Sequence, residues 1–248
     1  MASNSILVSQ ELTNYLIFAL PIFFIELMAA VSGTIYLRKV PSHNKYTKYF
    51  VWFLWFTLFI EIVGTYAPIA YFSEYKFFSF IEGTIVVRNR WLYNIYNIIK
   101  FVFLVYYFRS FIKRKFNNNL LRTLILLFIL TSVLNLVFTD VFFKFESQYI
   151  NLTGTFLLMF SIILFFFQLL KSDHILNLKR FLPLYIAIAV MLFYLCVTPV
   201  SIYSEFFSAS GGNQLFVDLH ARILLYSNIF MYSFLIFGFI ICSRTKEY

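Results

Sequence analysis

The amino-acid sequence predicts an all-α, polytopic membrane protein: a single transmembrane domain of seven helices, N-terminus outside and C-terminus inside. Three observations carry that expectation. Of 248 residues, 61% are hydrophobic, 12% are charged and 35 are Phe, whereas a soluble domain is about a quarter charged and presents that charge to water. Seven apolar stretches reach the roughly 20 residues needed to cross a hydrocarbon core. Lys and Arg collect in alternate connections, the pattern that orients membrane proteins.

The stretches lie at about 14–37, 49–72, 91–112, 120–143, 150–170, 181–204 and 219–242, and none shows the strict alternation of a barrel strand. The first has no Lys or Arg ahead of Arg38, so it lacks the basic start of a cleavable signal and is expected to stay in the membrane. The second carries Thr57, Glu61, Gly64, Thr65 and Pro68 along one side. On the third, Asn94, Asn97 and Lys100 recur every third residue, beside Tyr93 and Tyr96. The fourth contributes Asn135. The fifth is mostly Phe, Leu and Ile, the sixth holds Pro199, and the seventh holds Asn228.

The first, third and fifth connections and the C-terminal tail hold 14 of the 20 basic residues, among them Arg38, Lys48, Arg114, Lys179, Arg244 and Lys246. Seven of the 11 acids sit on the opposite side. The net charge of +9 therefore reads as a topology signal, with weak attraction to anionic lipid. It is not a nucleic-acid footprint, because the basic residues form no stripe or basic helix. Heavy use of Phe, Ile, Tyr, Asn and Lys points to an AT-rich bacterial genome, and so to a bacterial inner membrane. Cys196 and Cys242 stand at different depths, which argues against a disulfide. Two Cys and three scattered His give no ligand spacing, so no metal or other cofactor is expected.

Laid over itself at a shift of 131 residues, the chain aligns without a gap. Pro68, Phe72, Ser73 and Glu74 meet Pro199, Tyr203, Ser204 and Glu205; Asn97-Ile98 meets Asn228-Ile229; Lys48 meets Lys179 and His43 meets His174. The pairing puts helices 1, 2 and 3 on helices 5, 6 and 7, with the fourth as an inverting linker (candidate repeats 14–110 and 145–241). This 3+1+3 plan resembles the SWEET and PQ-loop transporters, which set two three-helix bundles about a pseudo-two-fold axis normal to the membrane. The resemblance is one of topology over the whole chain; the Pro-Gln pair of the PQ-loop family is absent. The chain is also similar to uncharacterised seven-helix membrane proteins of Bacteroidota.

Ionisable groups at membrane depth are costly and mark inward faces. Glu26, Glu61 and Lys100 count to the middle of their helices, and an ion pair between Glu61 and Lys100, with Glu26 as second acid, is the expected way to satisfy them. Together with Asn94, Asn97, Asn135 and Asn228 they make up the candidate ligand-binding set, in a polar lining that opens outward and stops near mid-membrane. Each has a structural alternative: the ion pair as a lock on helix register, the Asn side chains as interhelical glue. Catalysis has little support, since the His residues are scattered, and a retinal Schiff base would need a Lys in 219–242, where there is none. Two functions remain. One is a carrier or binding protein for a small solute, which the duplication favours. The other is a ligand sensor acting through a separate signalling partner or a homo-oligomer, which the loss of Glu61 and Lys100 from the second repeat (Leu192 and Met231) favours.

Overall fold

The computed structural model describes residues 2–40, 44–204 and 214–243, without the side chains of 2–11, 14, 173–176, 204 and 214. His43, Glu205, Arg244 and Lys246 fall outside the described residues, as does the side chain of His174. Every regular element among them is helical: α1 (Ala2–Lys39), α2 (Lys45–Gly64), α3 (Tyr66–Phe72), α4 (Arg90–Arg109), α5 (Lys115–Phe138), α6 (Val141–Lys144), α7 (Gln148–Leu170), α8 (Leu182–Ser204) and α9 (Gln214–Ser243), with 3-10 turns at Ser79–Ile81 and Asp173–Arg180.

Six of these segments are long and apolar enough to cross a membrane: Tyr15–Lys39, Lys45–Phe72, Lys115–Phe138, Gln148–Leu170, Leu182–Tyr203 and Leu215–Ser243. The chain is a multi-pass membrane protein. The sequence expectation of seven rests on adding α4, which has the length but a weaker apolar character. Asn94, Asn97, Lys100 and four tyrosines occupy its 20 residues, and both Asn are buried against other helices.

Helix ends follow local chemistry. Asn44 caps α2 by accepting from the Tyr46 amide at 3.1 Å. Pro68 has no amide hydrogen to return to Gly64, four residues back, so the backbone breaks at Thr65 and the span is divided into α2 and α3. The freed Gly64 carbonyl is taken by Asn89 Nδ2 at 2.8 Å, and Thr65 Oγ1 donates to Ile62 O at 2.6 Å. The stretch expected at 120–143 ends earlier, at Phe138: Thr139 turns extended and donates its hydroxyl to Asn135 O at 2.6 Å, and Val141–Lys144 makes a separate turn. In that turn Lys144 meets Asp140 at 2.9 Å and holds its exposed carboxyl below the ordinary range. At the N-terminal end α1 runs 12 residues further out than the apolar pattern.

Packing closes a ring. α1 lies against α2, α2 against α4, α4 against α7, α7 against α8, α8 against α9 and α9 against α1. α5 stands outside, in the groove between α4 and α7. At the end of the ring where α4 and α7 finish and α2 and α8 begin, aromatic side chains fill the interior. Phe50, Tyr107, Phe108, Phe165 and Phe239 are almost completely buried there, with ring centroids 5.3 Å apart for Phe50–Tyr107 and 5.5 Å for Phe108–Phe165. Close helix approach depends on missing side chains, as is usual where lipid supplies no hydrophobic drive. At Gly154 of α7 an added Cβ would collide with the Phe101 ring of α4.

Replacing Gly154 with Ala is expected to force α4 and α7 apart and to cost about 1–3 kcal/mol, the usual penalty of overpacking. Thermal unfolding of the purified protein in detergent would measure it. An unchanged midpoint would mean that the seam relaxes freely.

Candidate functional site

The ring encloses a cavity of about 470 Å³ lined by all six of its helices. It opens at the end where α4, α7 and α9 begin, and α4 is a ruler for its depth. Arg90 stands at the mouth, Tyr93 and Asn97 follow on successive turns, and Lys100 lies about 15 Å further in at about 1.5 Å per residue. Below Lys100, Phe50, Leu54, Phe101, Leu104 and Leu235 form the floor and join the aromatic interior.

Lys100 is held without a direct carboxylate. Its ammonium donates to Asn97 Oδ1 at 2.7 Å and lies over the rings of Phe101 (5.1 Å), Tyr96 (5.4 Å) and Tyr194 (5.9 Å), an arrangement that replaces part of its lost hydration. Asn97 hands the interaction outward, since its Nδ2 donates to Glu146 Oε1 at 2.9 Å. Glu146 also accepts from Asn151 Nδ2 at 3.0 Å and pairs with Arg90 at 3.8 Å. A polar chain therefore runs from the buried cation to the mouth.

The expected Glu61–Lys100 ion pair is not formed. Glu61 Oε2 accepts from the Tyr93 hydroxyl at 2.9 Å, and Tyr93 and Lys100 are two turns, about 10 Å, apart along α4. Gly64 makes this bond accessible: a Cβ there would strike the Tyr93 hydroxyl. Thr57, one turn from Glu61, accepts from Tyr96 at 2.9 Å. Glu26 lines the cavity and is 4% exposed. Tyr232 is its hydrogen-bond partner, while Oε2 of the same carboxyl has none. Asn228 also lines the cavity but donates to Leu224 O of its own helix at 2.8 Å.

Two members of the candidate set stand elsewhere. Asn94 is fully buried and faces the α6–α7 junction. Its Nδ2 donates to the carbonyls of Phe142 (3.0 Å) and Phe145 (2.9 Å), and its Oδ1 accepts from the Ser147 amide at 2.8 Å. Asn135 accepts from the Ser147 hydroxyl at 2.8 Å, which also caps α7. These two side chains fasten the segment that carries Glu146. Sequence reasoning missed Glu146, Arg90, Asn151, Tyr194 and Tyr232. Only Glu146 had a local signal, its place just ahead of Ser147 at a helix start. Among the described residues no three His, Cys, Asp or Glu side chains gather as metal ligands.

Fold and lumen together define a multi-pass membrane protein with a polar cavity inside a helical ring. Comparison with family models, curated proteins and solved structures finds no match for the chain.

Asn94→Leu is expected to leave two carbonyls and one amide without their partner at the α6–α7 junction. A loss of roughly 3 kcal/mol or more follows from the usual cost of buried unpaired groups. It would appear as a lower unfolding midpoint and faster hydrogen exchange at the Ser147 amide; protection equal to wild type would refute the role.

Proposed function

We propose that the protein crosses the membrane seven times, N-terminus outside, and acts as a small-solute carrier or binding protein whose site is the lumen of the ring. The observation that carries this is the cavity itself: about 470 Å³, within the size range of small-molecule sites, with Lys100, Glu61, Glu26, Asn97 and Asn228 on its wall. Structure of this kind is costly in lipid and is retained where polar ligands are handled.

Internal duplication supports the carrier. Exchanging α1, α2 and α4 for α7, α8 and α9 maps each neighbouring pair of the ring onto another neighbouring pair and leaves α5 outside. Asn97 and Asn228, equivalent at the shift of 131, line the same lumen. Two similar bundles about a central site are what alternating access requires. In this scheme α4 is the seventh span, the lumen opens outward, the membrane is the bacterial inner membrane, and the aromatic end is the closed inner gate. A second function, ligand sensing through a separate signalling partner or a homo-oligomer, draws on the same closed end and on the one-sided placement of Glu61 and Lys100.

Impermeant maleimide is expected to label Asp140→Cys on intact cells and Lys113→Cys only after lysis, in a background without Cys196 and Cys242. Equal labelling would break the assigned orientation. Mass spectrometry of small molecules extracted from the purified protein should then identify a bound solute that is missing from Glu61→Gln. Saturable counterflow of that solute into proteoliposomes supports the carrier. Saturable binding with no counterflow supports the sensor.

A further inference from the structure

The lumen holds three enclosed ionisable side chains: the acids Glu26 and Glu61 and the base Lys100. Arg90 and Glu146 are exposed at the mouth and answer each other at 3.8 Å. Two enclosed acids against one base leave one carboxyl without a cationic counterpart, in surroundings where an unpaired ion is expensive. Lys100 is already committed to Asn97 and to three aromatic rings. Glu26 is not so provided: Oε2 has no hydrogen-bond partner although the residue is 96% buried by its 4% exposure. Glu61 spends one oxygen on Tyr93 and has the other to offer. The two acids stand within electrostatic reach of each other, on α1 and α2. Tyr93, Tyr96 and Tyr232 share the same lining.

We infer that Glu26 and Glu61 together receive the ammonium group of a small primary amine carrying a single positive charge, with tyrosine rings around its apolar part. This assignment presumes that the lumen is a binding site, as proposed above. An ammonium has three hydrogens in a fan, enough for Glu26 Oε2 and the second oxygen of Glu61, and each such bond is charge-assisted. One unit of positive charge restores neutrality. Aromatic walls favour an organic cation over a hydrated one. A bare metal ion fits less well: hard cations take about six or more oxygens, and the two carboxylates stand in a cavity far larger than an ion.

The test uses three probes that share one ring and differ in charge, namely phenethylamine, phenylethanol and phenylacetate. Each is titrated calorimetrically against the full-length protein in nanodiscs at neutral pH. Phenethylamine is expected to bind best, and Glu26→Gln is expected to weaken it roughly 10- to 100-fold, the effect of losing a charged hydrogen bond. Asp140→Asn, on the exposed α6 turn, should leave that affinity unchanged. Stabilisation by sodium chloride alone, with no amine binding, would overturn the inference in favour of an inorganic cation. Tightest binding by phenylacetate, abolished by Lys100→Gln, would overturn it while leaving the lumen a binding site. Failure of all three probes would overturn it as well. If, in addition, a cysteine in place of Thr198, which lines the lumen from α8, resists small maleimides from outside (Thr198→Cys in a background without Cys196 and Cys242), the open lumen falls too.

Discussion

An ammonium group in hydrocarbon has to be solvated by protein, and much of this fold is arranged around that requirement at Lys100. Its own helix supplies the first partners, Asn97 as acceptor and Tyr96 and Phe101 as rings, and α8 supplies Tyr194. Asn97 must then satisfy its amide hydrogens, which it does on Glu146 in the junction before α7. That junction stays in place because Asn94 and Asn135 hold Ser147 and the carbonyls of Phe142, within α6, and Phe145, just after it. One buried cation thereby ties α4 to α5, α6, α7 and α8. Networks of this kind are strong when every member is satisfied and weak otherwise.

The same accounting explains why the two ends of the ring differ. Where α4 and α7 begin, polar groups face a water-accessible mouth, and the carboxylate of Glu146 is met there by Arg90, Asn97 and Asn151. Where these helices end, no charged side chain is buried among the described residues. Phe50, Phe108, Phe165 and Phe239 interlock there instead, since close packing is the main attraction between apolar helices in lipid. Access to the cavity is therefore possible from one end only, and any passage through the ring requires the aromatic end to repack.

The six spans were legible because length and apolar composition are summed over many residues. The stretch read at 91–112 as a further span is the helix α4, set apart from the six by its polar residues. The candidate site was half legible. Glu26, Glu61, Asn97, Lys100 and Asn228 do share one lumen, because a polar residue on an apolar span has few other places to go. Depth counting failed for the Glu61–Lys100 pair: it ignores where side chains reach, and a tyrosine hydroxyl two turns from Lys100 captures the carboxylate first. Spacing by threes misled at Asn94. Each step of three residues turns by about 300°, so Asn94 is rotated roughly 120° from Lys100 and faces α6 and α7. Glu146 was out of reach of any periodicity, being in a connection whose position is fixed by Asn94, 52 residues earlier.

The proposed repeats, 14–110 and 145–241, differ in chemistry. At the shift of 131 residues Glu26 meets Leu157, Glu61 meets Leu192 and Lys100 meets Met231, while Asn97 alone finds its like in Asn228. Even that pair differs in its bonding. Asn97 is held between Lys100 and Glu146, whereas Asn228 bonds to its own helix. The enclosed ionisable groups of the lumen all stand on one wall, on α1, α2 and α4. The opposite wall faces them with Tyr194, Tyr232 and the amide of Asn228. In the carrier proposed above, motion of the α7–α9 half relative to the α1–α4 half opens the closed end while the charged wall retains its partner. That division of labour, one half binding and the other moving, serves the proposed carriage and signalling alike, and it rests on the placement of Glu26, Glu61 and Lys100 on α1, α2 and α4.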